Sequence, residues 1–138
     1  MTTKTKIPVA DLCVKVAVEL GWKYELIGLC DNYGYVNTKI WTDAKGDQVD
    51  HFDSIENAPS YVLLSPQGRE LMESFVERRI GASWQCQFTE WIDEYEYLFD
   101  NDGQADVVVI HKDKHMACLL AFAQLVKVYD PEKEEVEW

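Results

Sequence analysis

The stretch Trp84-Gln-Cys-Gln-Phe-Thr-Glu-Trp-Ile-Asp-Glu-Tyr-Glu-Tyr-Leu-Phe99 decides how this chain is read. In its first half Trp84, Cys86 and Phe88 alternate with Gln85, Gln87 and Thr89. A period of two with apolar residues on one side predicts a half-buried strand. In the second half two periods compete. Ile92, Tyr95, Leu98 and Phe99 fit a short helix, whereas Tyr95, Tyr97 and Phe99 fit a strand. The sequence leaves both open. The same half mixes large aromatics with carboxylates.

Working outward, Ser65-Pro66 reads as a helix start, because serine caps an N-terminus and proline suits the first helical position. Leu71, Met72, Phe75, Val76 and Arg79 then mark one helical face, and Gly81 can close it; Gly68 in the first turn weakens the pattern. Residues 53–64 give no clear signal. Nearer the N-terminus, Val9, Leu12, Cys13, Val16, Ala17 and Leu20 sit at helical spacing up to Gly21. Trp22–Leu29 and Tyr35–Thr42 follow as strands around the turn Asp31-Asn-Tyr-Gly34, and Gln48–Phe52 could add a third. On the C-terminal side, Asn101-Asp-Gly103 is turn material and Val107–Ile110 a strand. Asp113 caps a last helix with Met116, Leu119, Leu120 and Ala123 on its buried stripe. Helix, strands, helix, strands, helix predicts an α+β protein: an antiparallel β-sheet packed with about three α-helices in sandwich-like layers. Residues 1–8 read as a loose arm, 9–129 as a single domain and 130–138 as an acidic tail.

The 138 residues carry 25 Asp and Glu against 13 Lys and Arg, a formal charge of −12. Hydrophobic residues make up 47%, enough for a core and too many for a chain disordered throughout. Such a charge disfavours direct binding to nucleic acid or anionic membranes. The basic pairs Lys4/Lys6 and Arg78/Arg79 are too small to argue for nucleic-acid binding. No apolar run follows the basic residues of the start, so no export signal or membrane span is expected. Cys13, Cys30, Cys86 and Cys118 are scattered through apolar contexts, which predicts reduced, mostly buried thiols and a cytoplasmic protein.

No phosphate loop or dinucleotide fingerprint is present, and no cofactor is expected. His111, Asp113, His115 and Cys118 are the one cluster of ligand-like residue types. A Cys/His enzyme or a metal protein built on them is the alternative reading, but no catalytic or metal-ligating residues are assigned and the chain is not expected to be an enzyme. The stronger candidate is a protein-binding segment: Glu90, Trp91, Asp93, Glu94, Tyr95, Glu96, Tyr97, Asp100 and Asp102. Aromatics supply anchor area in interfaces. Carboxylates steer a basic partner toward them and compete with nucleic-acid phosphates for its lysines and arginines. The expected partner is therefore a protein with a basic surface. A structural homodimer through exposed aromatics is a further alternative.

The run Asp11-Leu-Cys-Val-Lys-Val-Ala-Val-Glu-Leu-Gly-Trp22, with Pro59-Ser-Tyr61, Phe75–Ile80, Trp84–Phe88 and Met116-Ala-Cys-Leu-Leu-Ala-Phe-Ala123, resembles small phage proteins with an "ABA sandwich" domain, the NinX-like group. The resemblance spans residues 9–128. The chain departs from that pattern in a longer Tyr61–Gly68 connection and in the aromatic-acidic segment near 90–103. The resemblance implies a phage accessory protein, and with the acidity it makes an inhibitor of a host nucleic-acid-binding or defence protein, of the anti-CRISPR type, the expected function. The resemblance brings no catalytic residues with it.

Overall fold

The computed structural model describes residues 3–31, 34–49, 58–100 and 107–137. Its elements run β1 (Thr5–Pro8), α1 (Val9–Glu19), β2 (Lys23–Asp31), β3 (Gly34–Thr42), β4 (Gln48–Val49), α2 (Ala58–Leu63) and α3 (Pro66–Phe75). A π-helical turn (Val76–Ile80) prolongs α3, and β5 (Ser83–Thr89), β6 (Glu94–Asp100), β7 (Val107–His111), α4 (Lys114–Leu125) and β8 (Glu134–Glu137) complete the chain. The expected α+β class is observed, with antiparallel sheets packed against helices. The strands divide, however, into two antiparallel sheets, β2-β3-β4 and β5-β6-β7, and a parallel pair, β1-β8. The turn expected at 101–103, the part of the third strand beyond Val49, and His51 lie outside the described residues.

The competition in residues 90–99 resolves in favour of the strand. Glu90–Asp93 forms a turn, with Asp93 in the left-handed region at φ 53°, a conformation that aspartate tolerates better than most residues. β6 then pairs on one side with β5 (Cys86 opposite Tyr97) and on the other with β7 (Tyr97 opposite Val109). A central strand gains ladder hydrogen bonds on both edges, which a four-position helical stripe could not match.

α4 holds the core together. Asp113 caps it by accepting the Met116 N–H at 3.0 Å. Met116, Ala117, Cys118, Leu119, Ala121, Phe122 and Ala123 are all buried, so the burial runs around the helix rather than along the single expected stripe. A helix apolar on all sides belongs in an interior. Sheet β5-β6-β7 covers one side of α4, and α3 and α1 pack against it as well. Phe122 meets Phe75 of α3 edge to face, with ring centroids 5.5 Å apart.

α3 begins as expected, with the Ser65 hydroxyl accepting the Gly68 N–H at 3.3 Å. Gly68 has a packing reason: a Cβ there would overlap the Val62 carbonyl oxygen and the Leu63 Cα, so only glycine lets α2 and α3 approach this closely. The short α2 gave no sequence signal because its role is this contact rather than an amphipathic stripe.

The N-terminal arm and the acidic tail pair with each other. Thr5–Pro8 lies parallel to Glu134–Glu137, with Ile7 opposite Val136 and Lys6 opposite Glu135. Each end alone offers one strong apolar side chain. Together they bury Ile7 and place opposite charges side by side.

Candidate functional site

The alternation of β6 sorts the candidate segment onto two sides of one sheet. Tyr95, Tyr97 and Phe99 face the helices; Glu94, Glu96, Leu98 and Asp100 face away. On the outer side Glu96 stands opposite Ile110 and Gln87, and Leu98 stands opposite Val108 and Gln85. Val108 and Ile110 are 49% and 53% exposed. The outer face therefore carries the carboxylates Glu94, Glu96 and Asp100 beside Leu98, Val108 and Ile110, with glutamines on β5 and no lysine or arginine on any of its three strands.

The turn at one end of this face holds Glu90, Trp91 and Asp93. Trp91 is 87% exposed, the most exposed of the large hydrophobic side chains described. Ile92 beside it is partly exposed. Asp102 lies outside the described residues.

Two of the aromatics read as anchors occupy the inner side. Tyr97 has no exposed surface, so in this fold it offers no area to a partner. Tyr95 packs on Phe88, with centroids 4.7 Å apart, and the Lys114 ammonium sits 6.0 Å from its ring. The reason is the strand period itself: aromatics on odd positions share the core side, and carboxylates on even positions share the solvent side.

Tyr97 anchors a polar cluster that the sequence reading did not find. Its hydroxyl donates to Glu73 Oε1 at 2.6 Å and accepts from the Arg69 guanidinium at 3.4 Å. Arg69 Nε–H donates to His115 Nδ1 at 2.9 Å, and Arg69 and Glu73 form an ion pair at 4.0 Å. Trp84 stacks on Tyr97, with centroids 6.3 Å apart, and its Nε1–H donates to Glu77 Oε1 at 2.6 Å. The signal in the sequence was the row Arg69, Glu73, Glu77, charged residues four apart along α3 and its π-helical extension.

These surroundings bear on the Cys118, His111 and His115 alternative. Burial, then the Glu73 carboxylate, push the Cys118 thiol far above its usual range, and burial also raises Cys86. Such thiols resist becoming the thiolates that nucleophilic or metal chemistry needs. His115 is held below its usual pKa by burial and by Arg69, and its Nδ1 is occupied as an acceptor. His111 Nδ1 accepts the Asp113 N–H at 2.9 Å, which pulls it into the cap of α4. Among the described residues no group of three or more His, Cys, Asp or Glu side chains is arranged to hold a metal ion. The cluster's clear role is to tie α3, β6 and α4 together while satisfying a buried phenol.

No helix among the described residues is long and apolar enough to cross a membrane. No protein-family model matches the chain, and no curated protein and no solved structure matches it.

Proposed function

We propose that this chain is an acidic protein-binding protein whose contact surface is the outer face of β5-β6-β7 and the turn at 90–93. The observation that carries the reading is the composition of that face. Carboxylates and aliphatic side chains share one side of three strands, with no basic residue among them. Leu98, Val108 and Ile110 give desolvatable area, and Trp91 adds an exposed aromatic at the edge. Glu94 and Glu96, two residues apart on one strand, are separated by roughly 6.6 Å and present a row of charge to lysines and arginines. The partner is a protein with a basic surface, and the action is occlusion of that surface in competition with nucleic-acid phosphates. The assignment to phage and to inhibition of a host defence protein is supported by the sequence resemblance and by the charge.

The test is affinity capture from a bacterial extract with the native chain and with Glu94→Lys/Glu96→Lys, followed by identification of the captured protein and measurement of its association rate. The expected partner is basic. Its association slows by about tenfold or more on charge reversal and falls with salt. An acidic partner, or a rate indifferent to both changes, refutes the proposal.

A further inference from the structure

The opposite charge gathers elsewhere on the molecule. A cleft of about 350 Å³ lies between the β3–β4 turn and α3 with its π-helical extension. Its size is at the lower end of small-molecule sites. Trp22, Leu71 and Phe75 give it apolar walls, and Lys45, Arg78 and Arg79 stand at it as cations. Three of the 13 Lys and Arg of a strongly acidic chain thus meet at one cavity. Among the described residues none of the three makes an ion pair.

Both walls are built with some care. On one side Asp43 Oδ1 accepts the Lys45 N–H at 2.9 Å and the Asp47 N–H at 3.0 Å, which folds the turn. Gly21, at φ 92°, brings the chain before Trp22 against Ala44, where an added Cβ would sit 3.1 Å from the Ala44 Cβ. On the other side the helix widens to the π form over Val76–Ile80, the segment that carries Arg78 and Arg79, before Gly81 ends it at φ 74°.

We propose that this cleft binds a small organic anion, with an apolar ring against Trp22, Leu71 and Phe75 and a carboxylate or phosphate head held by Arg78, Arg79 and Lys45. Arginine forks match both head groups. Lys45, Arg78 and Arg79 together disfavour cationic ligands, and Leu71, 38% exposed, gains cover when the ring binds. The site is separate from the acidic sheet face and does not depend on it.

Three probes test it by titration of the full chain, followed in amide and indole NMR spectra: 2-naphthoate, 2-naphthyl phosphate and the neutral 2-naphthalenemethanol. Both anions are expected to shift Trp22, Lys45, Leu71 and Phe75 saturably, about tenfold more tightly than the alcohol. The tighter anion names the head group. Arg78→Gln/Arg79→Gln removes that preference. Lys45→Gln, on the opposite wall and off the helix, reduces it and carries the test if the helix end is disturbed. Equal binding of alcohol and anions, shifts confined to the β5-β6-β7 face, or an anion preference unchanged in both variants overturns the proposal.

Discussion

On strand β6 the side chains of Tyr95, Tyr97 and Phe99 turn toward α3 and α4, while Glu94, Glu96, Leu98 and Asp100 turn toward solvent. The two sets interleave residue by residue, yet one belongs to stability and the other to the proposed interface. Tyr97 and Phe99 are fully buried, and Tyr97 spends its hydroxyl on Glu73 and Arg69. Glu94 and Glu96 on the outer side are half-buried and reach water, where charges contribute little to folding. The difference teaches that a mixed aromatic-acidic run is not one surface. Substitutions on the two sides should therefore separate cleanly.

The largest effect is expected from Phe99→Ala, which empties a core position with no exposed surface. Urea unfolding should show a loss of about 3–5 kcal/mol. A smaller loss, of about 1–2 kcal/mol, is expected for Tyr97→Phe, which keeps the ring and removes the hydroxyl shared by Glu73 and Arg69. A value near zero would show that the cluster positions no part of the fold.

His115 gives the inner side a pH dependence. Its pKa is held below 6.5 in the folded chain, so the unfolded chain takes up the proton first. Stability is full above about pH 6.5 and falls as the pH drops through the folded value. His115→Gln should flatten that part of a thermal-melting profile between neutral and mildly acidic pH. Thiols act at the other end. Burial pushes Cys13 up to about 12, so unfolding releases a proton above the ordinary thiol pKa of 9.0 and stability declines as the pH rises past it.

Outer-side changes complete the comparison. Glu94→Lys with Glu96→Lys should alter unfolding free energy by no more than about 0.5 kcal/mol while slowing association with a basic partner. Trp91→Ala, at the exposed turn, should be the least costly for folding, with a melting temperature close to the native value. If it also leaves partner affinity unchanged, the contact surface is the sheet face without its turn.

Much of the architecture was legible because local rules and tertiary demands agree. Ser65-Pro66, Asp113 and Gly81 sit at helix ends, where capping chemistry and the left-handed conformation require them. The alternation of Trp84–Thr89 marks a strand because Trp84 and Cys86 pack on the core, while Phe88, half exposed, lies on Tyr95. Less of the candidate site was legible. Carboxylates and aromatics at 90–100 could be named, but their sides could not be assigned while helix and strand periods were both open. The Arg69-Glu73-Tyr97-His115 cluster joins residues up to 46 positions apart, and no local pattern announces such a meeting. Arg78 and Arg79 are a small basic pair in sequence, and only the fold sets Lys45 at the same cleft.

What the sequence determined by itself was the charge, the α+β class, and most helix and strand positions, because these follow from composition, periodicity and end-capping. Tertiary structure alone decided the partition of strands into three sheets, the pairing of the two chain ends, and which side of β6 faces water. These depend on contacts between distant residues, whose loop-closure cost is repaid only when α4 and its neighbours assemble. The same distance explains why an acidic chain could gather cations at one cleft without any local sign of it.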